Sequence, residues 1–314
     1  MVDGTQLAES KAIHRRTGTT FYVATRLLPE RVRHATYVLY AFFRVADEVV
    51  DDPDGPPPDE QRDRLEAIRR AALDGETDDS VLAAFSELRD RYGIPEAAVD
   101  EFVDAMATDI TKRRYADHDE LDTYMGGSAA AVGEMMTAVM DPDDADTARP
   151  HARTLGEAFQ LTNFLRDVRE DVIERDRIYL PQTVLDEHGV TETQIERFEM
   201  DDDFATLMAS ELRRTEERYR EGVAGIKYLP QDCQFPVLLA AVLYADHHRL
   251  IRARDYDVLS ATPELSTARK LSLLARTRWH WLWNKDPDAV FAKVSTVAHV
   301  PTRHHGPEGA APMR

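Results

Sequence analysis

The feature that most constrains this chain is a helical spacing of apolar residues along nearly all of its 314 residues. Apolar side chains recur at three- and four-residue intervals, whereas alternating strand patterns with hairpin turns are scarce. Proline and glycine interrupt the pattern, and the proline-rich stretch 53–58 is the clearest loop. The sequence therefore predicts an all-α protein, with helices over 28–52, 59–75, 79–94, 95–115, 121–140, 148–174, 203–226, 234–255 and 266–283.

No repeat of fixed period and no linker divides these segments. We therefore expect a single domain over 1–314, with its core at about 14–285. The segment from about 296 to 314 is rich in proline, glycine and histidine, and it is expected to be a flexible tail.

The formal net charge is −19, and arginine rather than lysine supplies most of the positive charge. Such a chain is unsuited to nucleic acid, whose phosphates are bound by clustered basic residues. An acidic, lysine-poor surface suits concentrated salt, where screening weakens self-repulsion. The composition therefore favours a halophilic source over an ordinary acidic cytosolic protein.

Cys233 is the only cysteine, which rules out an intramolecular disulfide and a cysteine-based zinc site. The N-terminus lacks the apolar core of a secretory signal, and no apolar run approaches the ~20 residues that cross a bilayer. We expect a cytoplasmic protein that at most touches a membrane from the side. No basic amphipathic helix for such contact is evident in the sequence.

The helix that contains "YAFFRVADEVVD" is apolar nearly all round but carries one polar stripe. Tyr40, Arg44, Asp47 and Asp51 follow each other at helical spacing and share a narrow arc. A helix with this pattern is normally buried, and unpaired buried charge is costly. The stripe is therefore expected to face a cavity or a polar network.

The segment "QLTNFLRDVRED" repeats this design. Gly156, Gln160, Asn163, Asp167 and Asp171 share one face, and apolar residues occupy much of the rest. In both helices two aspartates lie four residues apart near the C-terminal end, where the helix dipole disfavours negative charge. Each pair therefore needs a positive partner.

These oxygen ligands, without cysteine or histidine, favour Mg²⁺, or Mn²⁺ in its place, over zinc. Mg²⁺ typically bridges one or two carboxylates to substrate phosphates. Arg44, Arg166 and Arg177 could bind the phosphate oxygens in bidentate fashion. Two facing aspartate pairs would hold Mg²⁺ around a diphosphate and stabilise it as a leaving group.

The spacing alone is weak, because 58 acidic residues produce such pairs by chance. Asp59 and Asp63 have the same spacing within a charged helix start, which indicates a solvated surface. Asp100 and Asp104 also have it, and the sequence assigns them no role. The apolar surroundings distinguish the two stripes from these pairs.

Small residues fill 126–131 in "YMGGSAAAVGEMM", between the two stripes. They could form the wall of an elongated cavity with Tyr124 at its polar end, or a tight contact between helices. Phe21, Phe42 and Met135 could line such a cavity, although each could equally belong to an ordinary core.

Four segments in this order resemble the squalene/phytoene synthase family: "FFRVADEVVDD", "VGEMM", "FQLTNFLRDVREDVIERDRIYLP" and "VLYADHHRLIRARDYDVL". The resemblance covers roughly 14–285. It implies the isoprenoid synthase fold, a helical bundle around a central cavity. It also implies head-to-head (1'-1) condensation of two prenyl diphosphates through a cyclopropyl intermediate.

The resemblance also implies roles for individual residues. The first aspartate-rich motif, which coordinates Mg²⁺ and diphosphate, corresponds to Asp47 and Asp51. The second corresponds to Asn163, Asp167 and Asp171. The positions near the diphosphates correspond to Tyr40, Arg44, Arg166, Arg177 and Tyr244. Positions near the reacting carbons and along the prenyl channel correspond to Phe21, Tyr124, Ala129 and Gln160.

Within the family, the "RARDYDVL" segment resembles the carotenoid branch, which implies a phytoene synthase acting on geranylgeranyl diphosphate. The alternative is a squalene synthase that uses farnesyl diphosphate and NADPH. Other classes remain open from the residues alone: a terpene cyclase, a nucleotide pyrophosphohydrolase, or a helical scaffold without catalysis. A scaffold predicts stripes that are solvated or paired with arginine, with no cavity between them.

Overall fold

The computed structural model describes residues 24–52 and 55–297, and within them the chain is helical. The helices of its first half are α1 (Glu30–Asp51), α2 (Pro58–Asp74), α3 (Ser80–Tyr92), α4 (Glu96–Asp109), α5 (His118–Met125), a π-helix (Gly126–Ala130) and α6 (Ala131–Met140). Those of its second half are α7 (Ala145–Arg166), α8 (Val168–Arg175), α9 (Gln182–His188), α10 (Glu192–Glu196), α11 (Asp202–Ala224), a 3₁₀ turn (Ile226–Tyr228), α12 (Gln231–Arg252), α13 (Thr267–Trp283) and α14 (Pro287–Val294).

Local sequence explains where many of these helices begin and end. The Asp79 carboxylate accepts hydrogen bonds from the backbone N–H groups of Val81 and Leu82 and so caps the start of α3. Helix α3 ends at Gly93, whose φ of 62° lies in the left-handed region that glycine adopts readily. The all-α prediction is confirmed.

Helix α7 lies at the centre of the bundle, packed against α6, α11, α12 and the π-helix. A buried hydrogen-bond network ties it to α11 and α12. The Thr162 hydroxyl lies 2.8 Å from the Tyr219 hydroxyl and 3.0 Å from Nε2 of His248. Because buried polar groups are costly unless paired, this network fixes how the three helices pack.

Glycines let the neighbouring backbones come close to each other. A Cβ atom on Gly127 would lie 2.1 Å from the carbonyl oxygen of Glu101 on α4. On Gly156 it would lie 2.4 Å from the carbonyl oxygen of Ala129 in the π-helix. The small residues of 126–131 therefore form tight helix contacts, one of the two readings of the sequence.

Three predicted helices differ from the structure. The helix predicted over 95–115 ends at Asp109, because 113–115 instead run alongside 178–182: the N–H of Ile178 donates to the carbonyl oxygen of Arg113 at 3.0 Å. The helix predicted over 121–140 contains the π-helix, and that over 148–174 divides at Asp167 into α7 and α8.

Among the described helices, none combines the length and the apolar character that crossing a bilayer requires. The predicted tail, about 296–314, lies outside the described residues from position 298 onward.

Candidate active site

The two aspartate pairs predicted from the sequence meet at one end of the bundle. Arg175, the last residue of α8, lies between them, with Nε 3.4 Å from Oδ1 of Asp51 and Nη1 3.4 Å from Oδ1 of Asp171. Arg177 follows, with Nη1 3.6 Å from Asp51 Oδ1. The C-terminal ends of α1 and α7–α8 therefore face each other across a shared pair of guanidinium groups.

The other two aspartates of the stripes also have arginine partners. Arg44 donates to Asp47 at 3.1 Å, and Nε of Arg166 donates to Asp167 at 2.6 Å. Arginine charge thus offsets the unfavourable helix dipole at both C-terminal ends. The positive partner that the sequence required is guanidinium.

Burial leaves two of these carboxylates poorly suited to carrying charge. It raises the pKa of Asp171 to about 7, and the neighbouring Asp167 carboxylate adds to the effect. Burial likewise raises the pKa of Asp47 to about 7, against the opposing charge of Arg44. Asp47 lies in a cleft, since 31 % of its side-chain surface is still accessible. Both carboxylates would therefore gain from a further cation.

A fifth carboxylate, Asp109 at the end of α4, completes the cluster and was not predicted from the sequence. Its Oδ2 accepts a 2.9 Å hydrogen bond from the Tyr124 hydroxyl, and its Oδ1 lies 3.6 Å from Nη1 of Arg177. Burial raises its pKa to about 6. The one signal in the sequence was an aspartate set in the apolar run "DAMATDI".

Aromatic rings form a wall beside this cluster. Phe164 stacks on Tyr179 with centroids 3.7 Å apart, and Tyr124 packs against both rings. Tyr179 is brought here by the segment that runs alongside 113–115. Burial raises the pKa of Tyr124 well above its ordinary value, so its hydroxyl stays protonated and can donate.

An apolar pocket extends along α7, away from the aspartates. Phe159 lines it at the end nearer the cluster. The part of the pocket farther from the aspartates is lined by Leu28, just before α1, by Ala148 of α7 and by Pro236 of α12. The charged cluster therefore lies at the C-terminal ends of α1 and α7, and the apolar pocket lies along α7 toward its N-terminal end.

The chain matches the squalene/phytoene synthase family over residues 14–273. The chain belongs to the squalene/phytoene synthase family. It is 31 % identical over 282 residues to 15-cis-phytoene synthase from Synechococcus elongatus, covering 85 % of this chain and 90 % of that protein. It is 31 % identical over 267 residues to 15-cis-phytoene synthase from Synechocystis, covering 81 % and 79 %.

A crystal structure of a dehydrosqualene synthase in complex with ligand superposes with a TM-score of 0.81 at 25 % identity, covering 89 % of this chain and 98 % of that one. The predicted isoprenoid synthase fold is thereby confirmed. The protein is an enzyme of a family that condenses prenyl diphosphates head to head.

Several of the remaining residues that the family resemblance singled out lie close to the C-terminal half of α7. Tyr244 of α12 stacks on Phe159 at 4.6 Å, and burial raises its pKa to about 12 although Arg166 opposes the shift. Tyr40 lies near enough to Tyr244 to influence its titration. Gln160 is half-buried on α7, one turn before Asn163.

The other four residues that were predicted to line a channel or cavity are Ala129, Phe42, Met135 and Phe21. Ala129 is buried in the π-helix, with its carbonyl oxygen against Gly156. Phe42 and Met135 are fully buried core residues, and Phe42 stacks on Phe85 at 3.8 Å, so neither lines the pocket. Phe21 lies outside the described residues.

The donor chemistry of the charged end suits a hard divalent cation, because its oxygen donors are carboxylates and the Asn163 amide. As the side chains stand in the described residues, no three histidine, cysteine, aspartate or glutamate groups converge on one metal position. Arg175 lies between the carboxylates of Asp51 and Asp171 instead. A cation bound there would have to displace that guanidinium.

The chance aspartate pairs differ clearly from the two stripes. Asp59 is almost fully exposed and pairs with Arg62. Asp100 and Asp104 both pair with Arg69 of α2, which ties α4 to the neighbouring helix. Two aspartates four residues apart can therefore lie on the surface, form interhelical ion pairs or belong to a candidate site. The surrounding residues decide which of these occurs.

Proposed function

We propose that this enzyme is a phytoene synthase, which joins two molecules of geranylgeranyl diphosphate head to head and releases diphosphate. The observation that carries the proposal is the meeting of both aspartate stripes at one end of the bundle, beside an aromatic wall and with an apolar pocket farther along α7. The names of its relatives in Synechococcus and Synechocystis support phytoene as the product.

We propose that Mg²⁺ is required, held by the stripe residues Asp47, Asp51, Asn163, Asp167 and Asp171. When bound, the metal would neutralise charge on the departing diphosphate. Arg44, Arg166 and Arg177 would bind phosphate oxygens, which is the role guanidinium groups perform well. Displaced from the aspartates, Arg175 could join them.

The aromatic wall and the pocket would serve the organic part of the substrate. Loss of diphosphate from an allylic carbon leaves a carbocation, and aromatic faces attract cations. Tyr124, Phe164 and Tyr179 lie beside the carboxylates, where that charge would form. The apolar lining would hold the prenyl chain and exclude water that would quench the cation.

A second candidate is squalene synthesis from two farnesyl diphosphates with NADPH. The close superposition on a dehydrosqualene synthase, whose name denotes a squalene-like product, favours keeping farnesyl diphosphate in the test. Both candidates use the same charged end and differ in chain length and in the final reduction.

The deciding experiment supplies geranylgeranyl or farnesyl diphosphate with Mg²⁺, with and without NADPH, and identifies the hydrocarbon formed. Phytoene from the longer substrate without NADPH supports the proposal, whereas squalene formed only with NADPH supports the alternative. Asp47→Ala and Asp171→Ala should abolish release of diphosphate, while Asp100→Ala is the control that should leave turnover unchanged. Near wild-type turnover in either site variant would contradict the proposed mechanism.

A further inference from the structure

Helix α13 has an unusually apolar exposed face. Its exposed large side chains are Leu271, Trp279, Leu282 and Trp283, with 60 %, 61 %, 54 % and 78 % of their surfaces accessible. At 100° per residue they fall within about one third of the helix circumference. The opposite face, which carries Trp281, is buried against the bundle. We call the exposed apolar face the α13 face.

The charge around this face is opposite to that of the rest of the chain. Between 265 and 285 there are five lysines or arginines and no acidic residue, in a chain of net charge −19. Arg269 pairs with the buried Asp246. The other four cations form no ion pair with a described residue: Lys270, Arg276, Arg278 and Lys285.

Helical spacing places cations on both sides of the apolar face. Arg278 flanks it on one side and Arg276 lies beyond Trp283 on the other, while Lys285 follows the C-terminal end of α13. Exposed tryptophans with a rim of lysine and arginine are the composition of helices that lie in the interface of a bilayer. This helix is not evident in the sequence as amphipathic, because apolar residues occupy both its exposed face and its buried face, which carries Leu273, Thr277 and Trp281.

We propose that the α13 face docks the enzyme on a membrane surface that carries anionic lipids. At physiological ionic strength charges interact over only ~8 Å, so the local cations decide the attraction although the whole chain is acidic. The acidic remainder would be repelled, which fixes the orientation of the docked molecule. A second copy is a poorer occupant, since a two-fold dimer through this face would set the same cations against each other.

Docking in this orientation would bring the apolar end of the pocket toward the lipid. Trp281 packs against Phe235 at 6.2 Å, and the next two residues, Pro236 and Val237, line the pocket. The aspartates lie at the other end. The inference that docking helps release an apolar product to the membrane rests on the proposed function. The inference of docking itself rests on α13 alone.

The chain has three tryptophans, Trp279, Trp281 and Trp283, and all of them lie on α13. Selectively excited tryptophan fluorescence therefore reports on this helix alone. The full chain is titrated with phosphatidylcholine vesicles, with and without phosphatidylglycerol, and bound protein is measured by sedimentation. We expect binding and a blue shift with the anionic vesicles only. No binding to them, or equal binding to both compositions, would overturn the proposal.

Three variants and two matched controls locate the contact. Trp279→Ala and Trp283→Ala should each weaken partitioning roughly tenfold, while Ile173→Ala, which removes an equally exposed apolar side chain on α8, should not. Arg276→Gln should weaken binding about fivefold, and Arg62→Gln on α2 serves as its charge control.

Circular dichroism and thermal unfolding check that each variant folds. Equal losses in variants and controls would overturn the proposal. So would a dimer in sedimentation equilibrium that Trp283→Ala dissociates, because the face would then bind a second copy. Turnover is not used as a readout, so an error in the proposed substrate would leave this result intact.

Discussion

Replacing Asp171 with asparagine should stabilise the metal-free protein while destroying its activity. Burial raises the pKa of this carboxyl from 3.8 to about 7, with a further contribution from Asp167. The ionised carboxylate therefore destabilises the folded state at pH 8. Asparagine has nearly the same shape as aspartate but carries no charge. Only 13 % of the Asp171 side chain is accessible, so solvent screens little of this penalty.

The magnitude follows from the shift. About three pH units at about 1.4 kcal/mol each give an upper limit of about 4 kcal/mol at pH 8. The opposing charge of Arg175 is already included in this pKa, and relaxation of the buried site reduces the expected gain to about 1–3 kcal/mol. A carboxyl with a raised folded pKa destabilises progressively as pH rises from 3.8 to 7. The gain should therefore shrink to about a third at pH 5.

The assay is urea unfolding of wild type and Asp171→Asn at pH 8 and pH 5 in the presence of a chelator. Asp100→Asn is the matched control, because Asp100 has the same sequence spacing but pairs with Arg69 at 2.8 Å. We expect that control to be neutral or slightly destabilised at both pH values.

Mg²⁺ and diphosphate provide the second arm of this experiment. They should raise the free energy of unfolding of the wild type by ligand linkage and leave Asp171→Asn nearly unchanged. An Asp171→Asn protein less stable than wild type at pH 8, or a gain that does not shrink at pH 5, would refute the argument that burial of charge strains this site.

Three further perturbations test other parts of the structure. Gly127→Ala should lower the free energy of unfolding in urea by at least about 1–3 kcal/mol, because the added Cβ would meet the Glu101 carbonyl oxygen. Gly126→Ala should leave that free energy nearly unchanged, because no atom lies within 4 Å of the position of its Cβ. Tyr124→Phe should destabilise by roughly 1.5–3 kcal/mol and lower turnover, since Asp109 loses its hydrogen-bond donor; unchanged stability would contradict this. Melting temperature and turnover should rise between about 0.1 M and 1 M KCl, as the Debye length falls from ~10 to ~3 Å; a flat or falling response would remove the halophilic interpretation.

The sequence predicts the two stripes well because the period of a helix is a local property. Tyr40 to Asp51 lie on one face for any α-helix through these positions, and the apolar residues around them imply burial. That the stripes face each other follows from the family resemblance. The structure adds the contacts that join them through Arg175.

The missed residues depend on long-range geometry. Asp109 becomes part of the charged end only because α4 stops there and the next segment runs beside Ile178. No local periodicity reveals that pairing across some 70 positions of sequence. The π-helix is similar: its small residues are visible in the sequence, but the extra residue per turn depends on packing against α4 and α7.

The charged end can be balanced in two different ways, because burial raises the pKa of three of its carboxyls. Five carboxylates face four guanidinium groups among the described residues: Asp47, Asp51, Asp109, Asp167 and Asp171 against Arg44, Arg166, Arg175 and Arg177. Three of the carboxyls have a pKa of about 6 or 7, whereas arginine does not lose its proton. Without ligand, protons can therefore occupy these carboxyls and leave the end positive enough to attract a diphosphate. With metal and diphosphate bound, Asp47 and Asp171 would release their protons and become ligands. The arginines that pair with them in the ligand-free structure would then be free for phosphate oxygens, so one set of side chains could serve both states.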